Sequence, residues 1–204
     1  MTTKATTKKT STSKPRAKVV KTTPSTSLEL PKYPFAFEVL DLVSRQRTKA
    51  KKIEVLKKYE DMSLKIIFVW NFDESVISMV PEGPVPYSGF DEQTSYSGTL
   101  STKITEEVRR MHEVGSFSMG TSDKQGRTTI RREAKNFYHF VKGGNDGLTA
   151  IRRESMFINV LEGLHPLEAE IVCLIKDKKL SDKYNITKEI VAEAYSDIQW
   201  GNRS

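Results

Sequence analysis

The sequence predicts a mainly α protein, a compact helical domain with a long irregular Pro/Gly-containing loop and a disordered N-terminal tail. Three observations carry that reading. Apolar residues recur at helical spacing from Phe35 onward. The stretch from Asp73 to Thr102 holds Pro81, Pro84 and Pro86 with Gly83, Gly89 and Gly98, where missing amide donors and fixed φ angles oppose continuous helix or sheet. Before Leu28 the chain is Thr, Ser and Lys with Pro15 and Pro24, too poor in apolar surface to offset the entropy of ordering it.

Residues 1–28 are therefore read as a tail and 29–204 as one domain, with 73–128 largely loop and 129–200 a helical C-terminal part. Phe35, Val39, Leu40 and Val43 mark a first helix, and Ile53, Leu56 and Tyr59 a second that begins near Thr48. The second helix and its approach carry Arg45, Arg47, Lys49, Lys51, Lys52, Lys57 and Lys58, read as a solvated face. Leu64 to Phe72 is almost wholly apolar and reads as a buried helix, with a central strand as the alternative.

From Thr129 to Val141 a helix is expected, because Ile130, Ala134, Phe137 and Val141 fall within a narrow arc at 100° per residue. Gly143 and Gly144 follow it, as suits a left-handed helix end. Met156, Phe157, Val160, Leu161 and Leu164 define the next helix, and Ile190, Val191, Ala194, Tyr195 and Ile198 repeat the same offsets in the last. Between them Pro166 suits a first helical position, with Glu168 and Glu170 near the positive end of the dipole and Leu167, Ile171, Leu174 and Ile175 as the buried stripe. Thr187 is placed to cap the final helix after a turn from Asp177 to Ile186.

Charge is distributed unevenly. The net +7 is the sum of Lys4, Lys8, Lys9, Lys14, Arg16, Lys18 and Lys21 in the tail, which leaves 26 basic against 26 acidic residues beyond it. A basic folded surface must then come from local clustering. Residues 103–153 have a surplus of +5, and Arg127, Arg131, Lys135 and Lys142, with Arg152 and Arg153 after them, are its candidate phosphate contacts. His139 and Tyr138 lie among them. Residues 61–102 carry a deficit of −5, so internal neutralisation is the competing reading of the same face.

No catalytic, cofactor or metal constellation stands out. His112, His139 and His165 have no Cys or carboxylate at metal-motif spacing, and the lone Cys173 sits in an apolar run where it reads as a small hydrophobe. Lys142 to Gly147 lacks the Gly-Lys-Ser/Thr ending of a nucleotide loop. A helix-turn-helix at the C-terminus is disfavoured, since residues 154–204 hold six basic against nine acidic groups and the connection is long. The longest apolar stretch, Ile66 to Trp70, is far too short to cross a bilayer, and the N-terminus has no apolar core like that of a secretory signal, so a membrane role and export are not expected.

Several blocks occur in a telling order: Phe37-Glu38-Val39-Leu40-Asp41, Met79-Val80-Pro81-Glu82-Gly83 with Pro86-Tyr87, Arg153-Glu154-Ser155-Met156-Phe157 through Leu161 to Pro166, Ile175 to Leu180, and Ile186-Thr187-Lys188 to Glu193-Ala194-Tyr195. Over about residues 35–200 this resembles an uncharacterised protein family of large contractile-tailed phages, cyanophages in particular, with no assigned activity. The resemblance implies a phage protein acting in the host cytoplasm.

The expected function is accordingly a non-enzymatic accessory or adaptor protein. Its neutral body would bind a phage or host protein, and its basic tail would contact nucleic acid, without sequence preference, or an acidic surface. A virion or head-core component is the alternative, and an enzyme the weaker one.

Overall fold

The computed structural model describes residues 29–86, 99–114 and 126–201, so the tail expected at 1–28 lies outside the described residues. The chain forms α1 (Ala36–Ser44), α2 (Lys49–Lys58), α3 (Met62–Phe72), α4 (Leu100–Val114), α5 (Ile130–Glu133), a 3-10 stretch (Ala134–Phe140), α6 (Ala150–Gly163), α7 (Pro166–Lys176), α8 (Leu180–Lys183) and α9 (Lys188–Ala194). Among the described residues the sole β pairing is an isolated antiparallel bridge between Ser78 and Val141.

Local chemistry explains the helix starts. Thr48 Oγ1 accepts from the Lys51 N–H at 3.4 Å, Asp61 Oδ1 from Ser63 N–H at 2.9 Å and Thr149 Oγ1 from Arg152 N–H at 3.4 Å, each satisfying an amide that the first helical turn leaves open. The Glu38 carboxylate reaches back to the Phe35 N–H at 2.8 Å. Pro166 opens α7 as its spacing predicts, and His165 Nδ1 accepts from the Leu167 N–H at 3.2 Å. Thr187 occupies the N-cap position of α9, although its side chain makes no capping bond.

Helix α7 is the centre of the domain, with α1, α3, α4 and α6 all packed on it. Leu167, Ala169, Ile171, Val172 and Ile175 are buried, a wider face than one stripe requires, because α7 has neighbours on several sides. Each of the larger ones contributes about 1.5–3 kcal/mol relative to exposure. Helix α3 resolves the helix-or-strand ambiguity of Leu64 to Phe72 in favour of helix. It buries Leu64, Ile67, Phe68 and Trp70.

Two regions differ from the sequence expectation. Within 73–128, read as largely loop, α4 is a 15-residue helix whose Leu100, Ile104, Val108 and Met111 are buried and which packs on α7. The Thr99 hydroxyl caps it, accepting from the Thr102 N–H at 3.2 Å. The Pro/Gly composition around it masked that i, i+4, i+8, i+11 stripe.

The helix expected over Thr129 to Val141 is one α turn followed by 3-10 winding. Tighter winding puts Phe137 and Phe140 on one face, both buried, and leaves Val141 extended and half-buried in the bridge to Ser78. That bridge, with Met79 N–H to Phe140 O at 2.7 Å and Lys142 N–H to Ile77 O at 2.9 Å, pins the first part of the long loop to the body. Lys176 Nζ holds the next part through Pro81 O at 2.8 Å and Gly83 O at 3.1 Å.

Candidate functional site

An apolar groove of about 750 Å³ runs between α3 and the segment from Ala134 to Gly144, with Asp197 to Gln199 along one side. Helix α3 contributes Met62, Ile66, Val69 and Trp70 because its apolar residues continue round to the face turned away from α7. The 3-10 stretch contributes Phe137 and Tyr138. Gly143, left-handed at φ +77°, lies in a turn two residues past the extended Val141 and so does not cap the 3-10 stretch as its sequence suggests, and a Cβ on Gly144 would sit 1.9 Å from Tyr138 O, so only glycine permits this turn at the groove wall.

Trp70 anchors the base of the groove. Its indole is 2% exposed, stacks on Phe140 at 6.2 Å and meets Phe137 edge-on at 5.4 Å. Among the described residues the Nε1–H has no hydrogen-bond partner, the kind of buried donor that costs about 1–3 kcal/mol when left unmade.

Polar groups in the wall divide into satisfied and free. Lys65 pairs with Glu60 and, at 2.6 Å, with Asp197, which holds the Asp197 carboxyl below its ordinary value. Lys135 and Lys142 are exposed and make no ion pair among the described residues.

The six folded-body cations singled out by sequence do not form one face. Lys135 and Lys142 line the groove, Arg127 and Arg131 line a separate cavity of about 310 Å³, and Arg152 is exposed near the start of α6. Arg153 is corrected outright: it is buried at 4% exposure, donating to His139 O at 2.9 Å, Asn145 O at 3.0 Å and Leu148 O at 3.3 Å, and is closed to phosphate. Arg131 is largely committed as well, paired with Asp61 and donating to Pro34 O at 3.3 Å.

His139, counted with that basic face, hydrogen-bonds through Nδ1 to the Asn145 side-chain amide at 3.0 Å. The seven tail cations, Lys4 to Lys21, lie outside the described residues. In the basic stretch around α2, Lys52 is buried against Asn185 O, while Arg45, Lys49 and Lys58 pair with Asp41, Glu193 and Glu29.

Sequence reasoning missed Trp70 as a groove residue, Arg132 beside Arg131, and Glu168 as a buried carboxylate. An indole inside a continuous apolar run gives no local sign that its nitrogen lacks a partner. Among the described residues no group of three or more His, Cys, Asp or Glu side chains is placed to hold a metal ion, and no helix is long and apolar enough to cross a membrane.

A family model described as "family of unknown function (DUF6433)" matches residues 39–124 and 118–182. The chain belongs to that family. The DUF6433 match takes in α3, the 3-10 stretch and both groove lysines, and stops before α9 and the Asp197 to Gln199 wall. No curated protein and no solved structure matches the chain.

Proposed function

We propose that the protein is a non-enzymatic adaptor whose body seats an acidic amphipathic segment of a protein partner in the groove over Trp70, while its basic arm contacts nucleic acid. The supporting observation is an apolar floor combined with two cations, Lys135 and Lys142, that make no ion pair among the described residues. The groove's apolar lining opens to solvent at Met62, 69% exposed, and Tyr138, 48% exposed, which suits the broad face of a helix better than a small enclosed ligand. A carboxylate on the partner would meet the lysines.

In the phage setting that the sequence resemblance implies, the partner is a phage or host protein in the infected cytoplasm. Mass spectrometry of purified particles then finds the protein absent; stoichiometric presence would favour a virion or head-core component.

The groove itself is tested with a synthetic peptide bearing leucines on one helical face and glutamates on the other. Trp70 fluorescence, read in a Trp200→Phe background, should change saturably. The same peptide with lysine for glutamate should not bind, and K135E/K142E should abolish the response to the glutamate form. Equal binding of the two peptides, or binding of neither, overturns the reading.

A further inference from the structure

The second cavity, of about 310 Å³, lies where α1 and α5 begin and is lined by Arg127, Arg131 and Arg132, with Tyr33 and Pro34 on its α1 side and Glu168 of α7 in its wall. Arg127 and Arg132 are exposed and make no ion pair among the described residues. Tyr33 is 67% exposed, an unusual position for a ring with no core role. Two cations lie near it, the Arg131 guanidinium 5.5 Å and Lys32 Nζ 5.3 Å from its centroid. Arg131 is fixed in turn by Asp61 and Pro34, so it orients the ring and leaves the two free guanidinium groups to an outside anion.

We infer that this cavity is a seat for single-stranded nucleic acid, with Arg127 and Arg132 gripping a backbone phosphate and Tyr33 stacking an adjacent base. Guanidinium forks match phosphate oxygens in geometry and charge. An exposed aromatic beside them gives the second contact that strand binding uses and that a free anion does not need. Both oxygens of Glu168 are committed to the backbone amides of Ala36 and Ile130, so the one carboxylate in the wall is turned to the protein and not to the guest. The seven cations of residues 1–28 also precede Tyr33 closely in sequence, a run of charge that suits a polyanion engaged at the cavity.

The inference sharpens the nucleic-acid half of the proposed function, rests on that reading for the arm, and is independent of the groove. Its test is fluorescence anisotropy of a labelled oligothymidylate with the full chain across a salt series. Losing that one phosphate contact in R127Q/R132Q should reduce the log-log salt slope by about 0.7. Tyr33→Ala should weaken binding about tenfold while Tyr33→Phe retains it. All of these side chains are exposed, and an unchanged melting transition confirms that the variants fold.

Unchanged affinity and slope in the cavity variants, with binding abolished when the seven arm cations become Gln in the full chain, would leave the arm reading standing and overturn this one. Duplex binding that is as tight and insensitive to Tyr33→Ala also overturns it. So does stabilisation by inorganic phosphate or a phosphopeptide with no oligonucleotide binding.

Discussion

The Glu168 carboxylate accepts the backbone N–H of Ile130 at 2.9 Å, and through its other oxygen that of Ala36 at 3.2 Å. One side chain near the start of α7 thus satisfies the first helical amide of both α1 and α5, two helices far apart in sequence. Burial raises the pKa of Glu168 to about 7 against these two hydrogen bonds and the opposing pull of Arg131, with Glu38 adding to the rise.

Stability should therefore depend on pH through Glu168. A carboxyl with a native pKa of about 7 and an ordinary value of 4.5 binds more protons folded than unfolded between those limits. Its contribution is full below 4.5 and is lost as pH rises to about 7, on the order of 3 kcal/mol in all. Glu168→Gln removes that titration, and at pH 5 costs about 1–3 kcal/mol because one amide loses its acceptor. Urea unfolding at pH 5 and pH 8 should show a larger fall for the native chain than for the variant; parallel falls would refute the assignment.

Adjacent arginines should behave oppositely. Arg153→Ala removes the donors of three backbone carbonyls and should destabilise the protein by about 3 kcal/mol or more. Arg152→Ala, at an exposed position, should stay within about 0.5 kcal/mol. Arg153→Lys should not rescue, since a single ammonium lacks the planar fork that spans His139, Asn145 and Leu148. Chemical denaturation of the three variants measures the contrast.

Helix α4 should depend on its contact with α7. Ile104→Ala should cost about 2–4 kcal/mol, and the amides of α4 should lose hydrogen-exchange protection before those of α7. Equal protection of both helices in that variant would mean that α4 is held by something other than its apolar stripe.

Removing residues 1–28 should leave the melting transition nearly unchanged. The described body starts with its own anchors: Glu29 pairs with Lys58 at 3.1 Å, and the Leu30 N–H donates to the Tyr59 hydroxyl at 3.0 Å. A shortened chain beginning at Glu29 that melts without cooperativity, followed by circular dichroism, would contradict this boundary.

Helix identity was written locally wherever several apolar positions recurred at one period. Val39, Leu40 and Val43, Leu64, Ile67 and Phe68, Phe157 and Leu161, and Ile190, Val191 and Ala194 are buried in helices as their spacing requires, and Pro166 opens α7 as its fixed φ dictates. The stripe of α4 was equally present in the sequence. It was obscured by the prolines and glycines before it.

What tertiary structure alone decided is which polar groups share a surface. Arg131 and Lys135 share a face at 100° per residue, but the 3-10 winding after Glu133 advances about 120° per residue, and they line different concavities. Arg153 looks like its exposed neighbour until the carbonyls of His139, Asn145 and Leu148 converge on it. Glu168 reads as a residue favouring its own helix dipole until packing brings the ends of α1 and α5 to it. Periodicity is set by residues within a turn or two of each other, whereas the partner of a buried donor or charge is set by chain segments tens of residues away, and only the packed core brings those segments together.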